Sequence, residues 1–301
     1  MSSTEIGLFL VIIAYLALMV VIGIIYSKRN NDVKDFYLGG RKLGPLVTAM
    51  SAEASDMSSW LLMGLPGLAY VTGTADPGWT AIGLAVGTYL NWLLVAKRLR
   101  RYSAKIDAIT IPEFFAKRFH DKSRAILCIS AIVIVIFFVP YTASGFSACG
   151  KLFGTLFDIP YMPAMIASAI IIVAYTTLGG FLAASTTDLI QSIVMTIALI
   201  IVILFGVSMA GGLDVVLKNA KALPGYLSLT ESYNPLDNTS NPYTLLTVCS
   251  TAAWGLGYFG MPHILLRFMG TKDEEKLALS RRIATIWVVI SMGIAILIGI
   301  V

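Results

Sequence analysis

The sequence predicts an all-α integral membrane protein, and three observations support this prediction. Hydrophobic residues make up 57% of the 301 residues and charged residues only 13%, whereas soluble domains carry about 25% charged residues. Apolar runs of the length that crosses a bilayer, about 20 residues, recur along the chain. Nineteen of the 22 lysines and arginines lie in three of the intervening stretches. This pattern excludes an ordinary cytosolic domain, a disordered chain and a nucleic-acid-binding protein.

The first predicted segment covers residues 7–26, which contain no charged residue. It is longer than the core of a signal peptide, so we expect a retained N-terminal anchor. Six more segments and the start of an eighth follow at 44–72, 79–96, 125–149, 160–178, 186–211, 244–266 and from about 283. The long stretch 212–243 is expected to hold a short surface helix and irregular chain.

The basic residues predict the orientation of these segments. They cluster in 27–43, which includes Arg29, and in 97–124 and 267–282. If the segments alternate, these three stretches lie on one side of the membrane, and the positive-inside rule makes that side the cytoplasm. We therefore expect a multi-pass protein of the cell membrane with its N-terminus outside. The short uncharged stretch 179–185 is predicted to be a cytoplasmic loop.

The second segment is a poor helix. It places Glu53, Asp56 and several serines at membrane depth, followed by Gly-Leu-Pro-Gly at 64–67. An aspartate at the centre of a spanning helix costs about 2.5–3.5 kcal/mol, and such residues usually face a cavity or mark an ion path. An unwound turn here would free backbone carbonyls to bind a cation. A packed helix with hydrogen-bonded serines is the alternative, but it does not explain two carboxylates three residues apart.

The seventh segment carries a second predicted break. Three glycines and Pro262 fall within residues 255–262, and both residue types interrupt helices. Trp254 and Tyr258 lie four residues apart on one helical face, which suits a small amphipathic solute. The alternative is that the glycines only allow close helix packing.

The two breaks occur five segments apart and therefore in oppositely oriented helices. This pattern indicates an inverted-repeat secondary transporter, with solute and ion at the membrane midplane. Catalytic motifs of zinc proteases and serine hydrolases are missing from the sequence, and no enzyme activity is expected. The predicted organisation is an N-terminal helix and loop, a first five-helix repeat, an external loop and the start of a second, incomplete repeat, at 1–43, 44–211, 212–243 and 244–301.

Several motifs resemble the sodium/solute symporter family. They are Asp-Phe-Tyr-Leu-Gly-Gly-Arg at 35–41, Leu-Gly-Pro at 43–45, residues 51–60, Gly179-Gly180, Thr187-Asp188 and Gln191. Residues 60–67 and 254–265 are most similar to the bacterial sodium/proline branch of that family. The resemblance implies a five-plus-five inverted-repeat fold with an extra N-terminal helix. It also implies Na+ as the coupling ion, L-proline as the solute and no required oligomer.

The resemblance further implies roles for individual residues. Sodium would be bound by the main-chain carbonyls of Ala54 and Met57 together with Asp56 and Ser58. Proline would contact Ser58, Tyr141, Trp254, Tyr258 and Pro262. Arg41 and Asp188 would serve coupling.

Other roles remain open for several of these residues. Tyr141 could be a packing aromatic, Arg41 a loop charge, Asp188 a helix N-cap and Pro262 a simple kink, while His263 is expected to be structural. Two positions depart from the family pattern, because Ser59 stands where glycine is expected and Glu53 where some members have a small residue.

Three alternative functions also remain open. The chain could belong to a symporter for pantothenate, a sugar or a sialic acid. It could belong to a sensor, since related domains are fused to signalling kinases. It could also be an inactive fragment, because one repeat takes about 200 residues and the second would extend beyond residue 301.

Overall fold

The structure, a computed structural model, describes residues 3–28 and 31–301; Arg29, one of the predicted cytoplasmic charges, lies outside them. The described chain is mainly helical. Its helices and strands are α1 (Ser3–Ser27), α2 (Val33–Leu38), α3 (Pro45–Ser59), α4 (Leu65–Thr72), α5 (Ala75–Asn91), α6 (Lys97–Lys105), α7 (Ile111–Arg118), α8 (Ala125–Phe157), α9 (Tyr161–Met209), α10 (Leu213–Ala222), β1 (Glu231–Asn234), β2 (Thr239–Pro242), α11 (Leu245–Ala252), α12 (Pro262–Gly270) and α13 (Leu277–Ile300).

Five continuous helical stretches in the described residues are long and apolar enough to cross a membrane. They are Ile6–Ser27, Ala75–Lys105, Ala125–Phe157, Tyr161–Met209 and Glu274–Ile300. The predicted second and seventh segments fall outside this set, because each consists of shorter α-helices. A π-helical turn joins them in the second segment, and a 3₁₀ segment joins them in the seventh. This is the interrupted geometry that the serine, glycine and proline pattern predicts.

α9 contains the predicted fifth and sixth segments. Its 49 residues would extend about 73 Å as a straight helix at 1.5 Å per residue, more than twice the hydrocarbon core of about 30 Å. The helix is broken at Gly180, whose φ of 63° and ψ of −158° are not helical. The prediction of a loop at 179–185 is therefore wrong: a kink at a single glycine separates the two segments.

The connecting stretches are more ordered than the sequence predicts. The basic stretch 97–124 contains α6 and α7, so many of its charges lie on helices. In the stretch 212–243, α10 confirms the predicted short surface helix. The rest is not irregular throughout, because β1 and β2 pair as an antiparallel hairpin with Glu231 opposite Pro242.

The chain divides into two compact units. The first comprises Met1–Ser51, Leu99–Asp188 and Leu266–Glu274. Within it, Leu43 bridges to the end of α12, since its N–H donates to Gly270 O at 3.1 Å and its carbonyl accepts from Lys272 N at 2.9 Å. A side chain at Gly270 would collide with the ring of Phe181. The unit is thus tied together around the end of α12.

The second unit comprises Ala52–Arg98, Leu189–Leu265 and Glu275–Val301. α5 is central to it and packs against α4, α11, α13 and the 3₁₀ segment Ala253–Gly260. The stretch after α10 is tied to α4 and α5 by hydrogen bonds from Tyr226 Oη to Tyr70 O and from Tyr243 Oη to Asp76. Burial and the bond to Asp76 raise the pKa of Tyr243 to about 12, so the hydroxyl keeps its proton and remains a donor.

Glycines set the spacing between α5 and the 3₁₀ segment. A Cβ at Gly87 would lie 2.2 Å from Gly255 O, and a Cβ at Gly255 would lie 2.0 Å from Gly83 O. Main chain therefore packs directly on main chain at this crossing, as in the small-residue interfaces of membrane helices.

Replacing Gly87 with alanine is expected to destabilise the second unit by about 1–3 kcal/mol, because the added methyl overpacks this crossing. The midpoint of thermal unfolding in detergent measures the effect. Gly293→Ala in α13 is the matched control, since a Cβ there meets nothing within 4 Å. Equal midpoints for the two variants would contradict the close contact.

Candidate functional site

The predicted break in the second segment lies at Ser58. Its φ of 46° and ψ of −160° depart from the helix, and the chain continues as a π-helical turn, Trp60–Gly64, before α4 begins. A positive φ in a residue other than glycine is strained by about 1–3 kcal/mol. Ser59, where the family pattern has glycine, is in ordinary helical geometry, with φ −64° and ψ −15°. The strained position is therefore Ser58, one residue before the expected glycine.

The predicted sodium ligands surround this break. Ala54, Asp56 and Met57 occupy the last helical turn before Ser58. The Met57 side chain is buried, whereas Ser58 is exposed, and the carboxyl of Asp56 is only 9% exposed. Carbonyl, carboxylate and hydroxyl oxygens are the donors that hard cations prefer, so these residues have the right chemistry for sodium.

The second break follows the sequence pattern closely. α11 ends at Ala252 and the 3₁₀ segment Ala253–Gly260 follows. Met261 ends that segment in an extended conformation, with φ −74° and ψ 107°. Pro262 then opens α12, a position where its fixed φ suits a helix start. Pro262 therefore starts a helix, and the alternative that it only kinks one is wrong.

Both breaks lie in the second unit, and side chains connect them. Asp56 Oδ1 lies 3.6 Å from His263 Nε2. The rings of Trp60 and Trp254 meet edge to face with centroids 4.9 Å apart. Trp254 is 48% exposed. The structure thus joins the two breaks through one predicted residue of each segment, Asp56 and Trp254, and through His263 and Trp60, which were not among the predicted site residues.

Tyr258 is the buried member of the predicted pocket, with 2% of its surface exposed. Its main-chain carbonyl accepts a hydrogen bond from Asn91 Nδ2 on α5 at 2.9 Å. Its side chain interacts electrostatically with Asp56 and Glu53. Tyr258 is therefore held from α5 and faces the acidic residues of the first break.

Tyr141 lies in α8, directly after Pro140. Its ring is tilted against Phe138, with centroids 5.6 Å apart. Tyr141 belongs to the first unit, whereas the other pocket candidates belong to the second. Its role in solute binding stays a prediction.

Arg41 is an anchoring residue within the first unit. Its guanidinium donates to three main-chain carbonyls, those of Met269 at 2.8 Å, Ser103 at 3.1 Å and Ala108 at 2.8 Å. Burial and the nearby charge of Arg100 lower the pKa of Arg41 from its usual value. These contacts fix Arg41 within the unit, and both its predicted coupling role and the alternative of a positive-inside charge stay predictions.

Asp188 lies in the interior of α9, so the alternative that it caps a helix is also wrong. Asp188 Oδ2 accepts from Ser51 Oγ at 2.6 Å and from Arg267 Nη2 at 3.0 Å. Arg267 Nε also donates to Ser51 Oγ at 3.0 Å. The side chains of Arg267 and Asp188 are only 10% and 15% exposed.

Arg267 was missed as a site residue. Hydropathy ends the seventh segment at 266, so Arg267 counted as one of the cytoplasmic loop charges. It lies instead inside α12, with its guanidinium 5.5 Å from the centre of the Phe181 ring. Its spacing of four residues from His263 places both on one face of α12, which is the signal that could have identified it.

Comparisons with known proteins identify the family of the chain. The profile of the Sodium:solute symporter family matches residues 36–301. The chain is 44% identical to the sodium/proline symporter of Haemophilus influenzae and 41% identical to the osmoregulated proline transporter OpuE of Bacillus subtilis, covering 95% of this chain and 56% of each relative. It is 41% identical to sodium/proline symporter 2 of Staphylococcus saprophyticus, over 97% of this chain and 55% of that protein. The chain thus spans a little over half the length of these relatives.

A solved structure shows the same fold. The substrate-bound, outward-open state of a Na+-coupled sialic acid symporter superposes with a TM-score of 0.78 at 19% sequence identity, covering 97% of this chain and 60% of the other. This likeness confirms the predicted transporter fold class.

Proposed function

The chain belongs to the Sodium:solute symporter family, and we propose that it serves sodium-coupled uptake of L-proline by alternating access. The meeting of the two helix breaks in the second unit, through Asp56 with His263 and Trp60 with Trp254, is the observation that supports a shared ion and solute site. The names of the relatives at 41–44% identity support proline as the solute.

Sodium binds at the first break in this proposal. The carbonyls of Ala54 and Met57, the carboxylate of Asp56 and the hydroxyl of Ser58 supply oxygen ligands, and the positive φ of Ser58 turns the chain out of the helix at that point. Asp56 is only 9% exposed and its Oδ1 lies 3.6 Å from His263 Nε2, so contacts across the two breaks position this carboxyl group beside the other proposed ligands.

Proline binds beside the second break. Trp254 offers an open aromatic face to the pyrrolidine ring and Tyr258 a buried one, while Ser58 provides a hydroxyl. The N-terminus of α12, opened by Pro262, carries a partial positive charge and can receive the proline carboxylate. Tyr141 is the remaining predicted solute residue. Arg41 and Asp188 are the predicted coupling residues.

Coupling requires that sodium favour the state that binds proline, because a ligand with equal affinity for two states shifts nothing. A membrane potential of 100 mV supplies about 2.3 kcal/mol per charge, and a tenfold sodium gradient adds about 1.4 kcal/mol. One ion can therefore support a proline accumulation of a few hundredfold. Transport leaves proline chemically unchanged, so no enzyme activity is expected.

Uptake of labelled proline into proteoliposomes tests the proposal. The full-length protein is expected to accumulate proline when sodium is higher outside, and to stop when potassium replaces sodium. Unlabelled pantothenate, glucose and sialic acid serve as competitors that separate the alternative solutes. Sodium-dependent uptake of one of these, without proline uptake, would overturn the choice of solute but not the transport class.

The predicted orientation, with the N-terminus outside, is tested by cysteine labelling. Leu236, in the turn of the hairpin, is 91% exposed, and Lys122, in the basic stretch, is also exposed. With the native cysteines replaced by serine, an impermeant maleimide is expected to label Leu236→Cys in intact cells, but Lys122→Cys only after permeabilisation. If Lys122→Cys is labelled in intact cells and Leu236→Cys only after permeabilisation, the topology is the opposite of the predicted one.

A further inference from the structure

The basic residues of the stretch 97–124 have two kinds of surroundings. Some of them form ion pairs, namely Lys97 with Glu275, Arg101 with Glu274 and Lys117 with Glu113. By contrast, Arg118, Lys122 and Arg124 are exposed and form no ion pair with residues 3–28 and 31–301. Three cations that lie close together in the sequence are therefore left without a carboxylate partner in that part of the chain.

Asp121, the acidic residue among these cations, is directed toward the start of α8. Its Oδ1 accepts from Ser123 Oγ at 2.7 Å, and its Oδ2 accepts from the N–H of Ile126 at 2.7 Å. These hydrogen bonds, chiefly the one from Ser123, lower the pKa of Asp121 from its usual value, and a helix N-terminus stabilises a negative charge. With three basic residues and one acidic residue, the segment 118–124 keeps a net charge of +2.

Arg118 is held in place by an aromatic ring. Its guanidinium carbon Cζ lies 4.9 Å from the centre of the Tyr102 ring, and that ring meets Phe114 edge to face with centroids 5.9 Å apart. A guanidinium that rests on a ring keeps its N–H donors at the edge of its own plane, in the fork geometry that matches a phosphate group. Arg118 is therefore a positioned donor, and no acceptor for it lies in the described part of the chain.

The position of these residues along the chain places them at the level of lipid headgroups. Arg124 directly precedes α8, whose residues Ala125–Phe157 are long and apolar enough to cross a membrane. The start of such a helix lies at the membrane–water interface. Phe119 is 62% exposed, so an apolar ring accompanies the basic side chains. Basic and apolar side chains together are the composition of segments that lie on a membrane surface.

We propose that the surface formed by Arg118, Lys122 and Arg124 binds the headgroup of an anionic phospholipid. The Arg118 guanidinium donates to the phosphate oxygens, and the other two cations add charge complementarity. The ring of Phe119 packs against the upper part of an acyl chain. A zwitterionic lipid fits less well, because its own ammonium group compensates the phosphate. In the predicted orientation the surface faces the cytoplasmic leaflet, and binding there is independent of which solute the protein transports.

Native mass spectrometry of the purified full-length protein, titrated in detergent with dioleoyl phosphatidylglycerol or dioleoyl phosphatidylcholine, tests this surface. The wild type is expected to bind its first phosphatidylglycerol more tightly than its first phosphatidylcholine. The triple variant Arg118→Gln, Lys122→Gln and Arg124→Gln is expected to raise the dissociation constant for phosphatidylglycerol at least about fivefold. One basic residue near a membrane surface contributes about 1 kcal/mol, which corresponds to a factor of about five. The dissociation constant for phosphatidylcholine is expected to stay unchanged.

The matched control is the triple variant Lys151→Gln, Lys218→Gln and Lys221→Gln. These lysines are also exposed and lie outside the three basic stretches, so the control loses the same charge at other places. It is expected to bind phosphatidylglycerol as tightly as the wild type. Equal losses in the two triple variants would show that net charge alone attracts the lipid and would overturn the surface. A wild type that binds the two lipids equally well would also overturn it, and so would an unchanged dissociation constant in the first triple variant.

Discussion

Asp56→Asn is expected to lower the affinity for sodium by a factor of about one hundred or more, and sodium-driven uptake of proline should show this. A unit charge 4 Å away contributes about 4 kcal/mol at an effective dielectric constant of 20, and each 1.4 kcal/mol is a factor of ten. Asp56 is the acidic side chain among the proposed ligands at the break, and asparagine keeps its shape without the carboxyl group. Initial rates of proline uptake across a range of sodium concentrations measure the effect.

Asp158→Asn is the matched control for Asp56→Asn. Asp158 is exposed and adopts a left-handed conformation with φ 53°, which asparagine tolerates well. It is expected to leave the sodium dependence unchanged. The same half-saturating sodium concentration in Asp56→Asn and wild type would remove Asp56 from the sodium site.

Arg267→Gln is expected to destabilise the protein by about 3–5 kcal/mol, because it leaves the buried carboxylate of Asp188 without its charged partner. Ser51 would still donate to Asp188, but a neutral donor does not balance a buried charge. The free energy of unfolding in mixed detergent measures the loss. The double variant Arg267→Met with Asp188→Leu is expected to recover much of it, since no isolated charge then remains.

An exposed pair in the same unit provides the control for Arg267→Gln. Arg101 binds Glu274 at 2.8 Å with side chains 63% and 32% exposed, so Arg101→Gln should cost less than about 1 kcal/mol. Arg267→Met and Asp188→Leu are also made singly. If their two losses add up to the loss in the double variant, the two residues do not act as a coupled pair.

The helix breaks were predictable because local composition encodes them. Serines and carboxylates at membrane depth mark the first break, and glycines followed by Pro262 mark the second. The strained residue was harder to place, since the family pattern directs attention to Ser59 whereas the positive φ falls on Ser58. Local sequence thus indicates that a helix unwinds, and packing determines which residue takes the unusual conformation.

The contacts of the charged residues were less predictable, because they depend on tertiary structure. Hydropathy places Arg267 in a loop, yet α12 continues to Gly270 and buries it against Asp188. Arg41 looks like a positive-inside charge, but it satisfies three carbonyls that lie 62 to 228 residues away along the chain. Glu53 was recognised as unusual, but its Trp92 partner lies 39 residues away on another helix.

Sodium-dependent binding of proline to the purified full-length protein is the measurement that tests a shared ion and solute site most directly. If sodium and proline bind together at the two breaks, raising sodium from zero to saturation should lower the proline dissociation constant at least about tenfold, a coupling within the usual range of 1–3 kcal/mol. Proline should raise sodium affinity by the same factor, and Asp56→Asn should abolish both effects. A proline affinity that does not change with sodium would contradict coupled binding at this site.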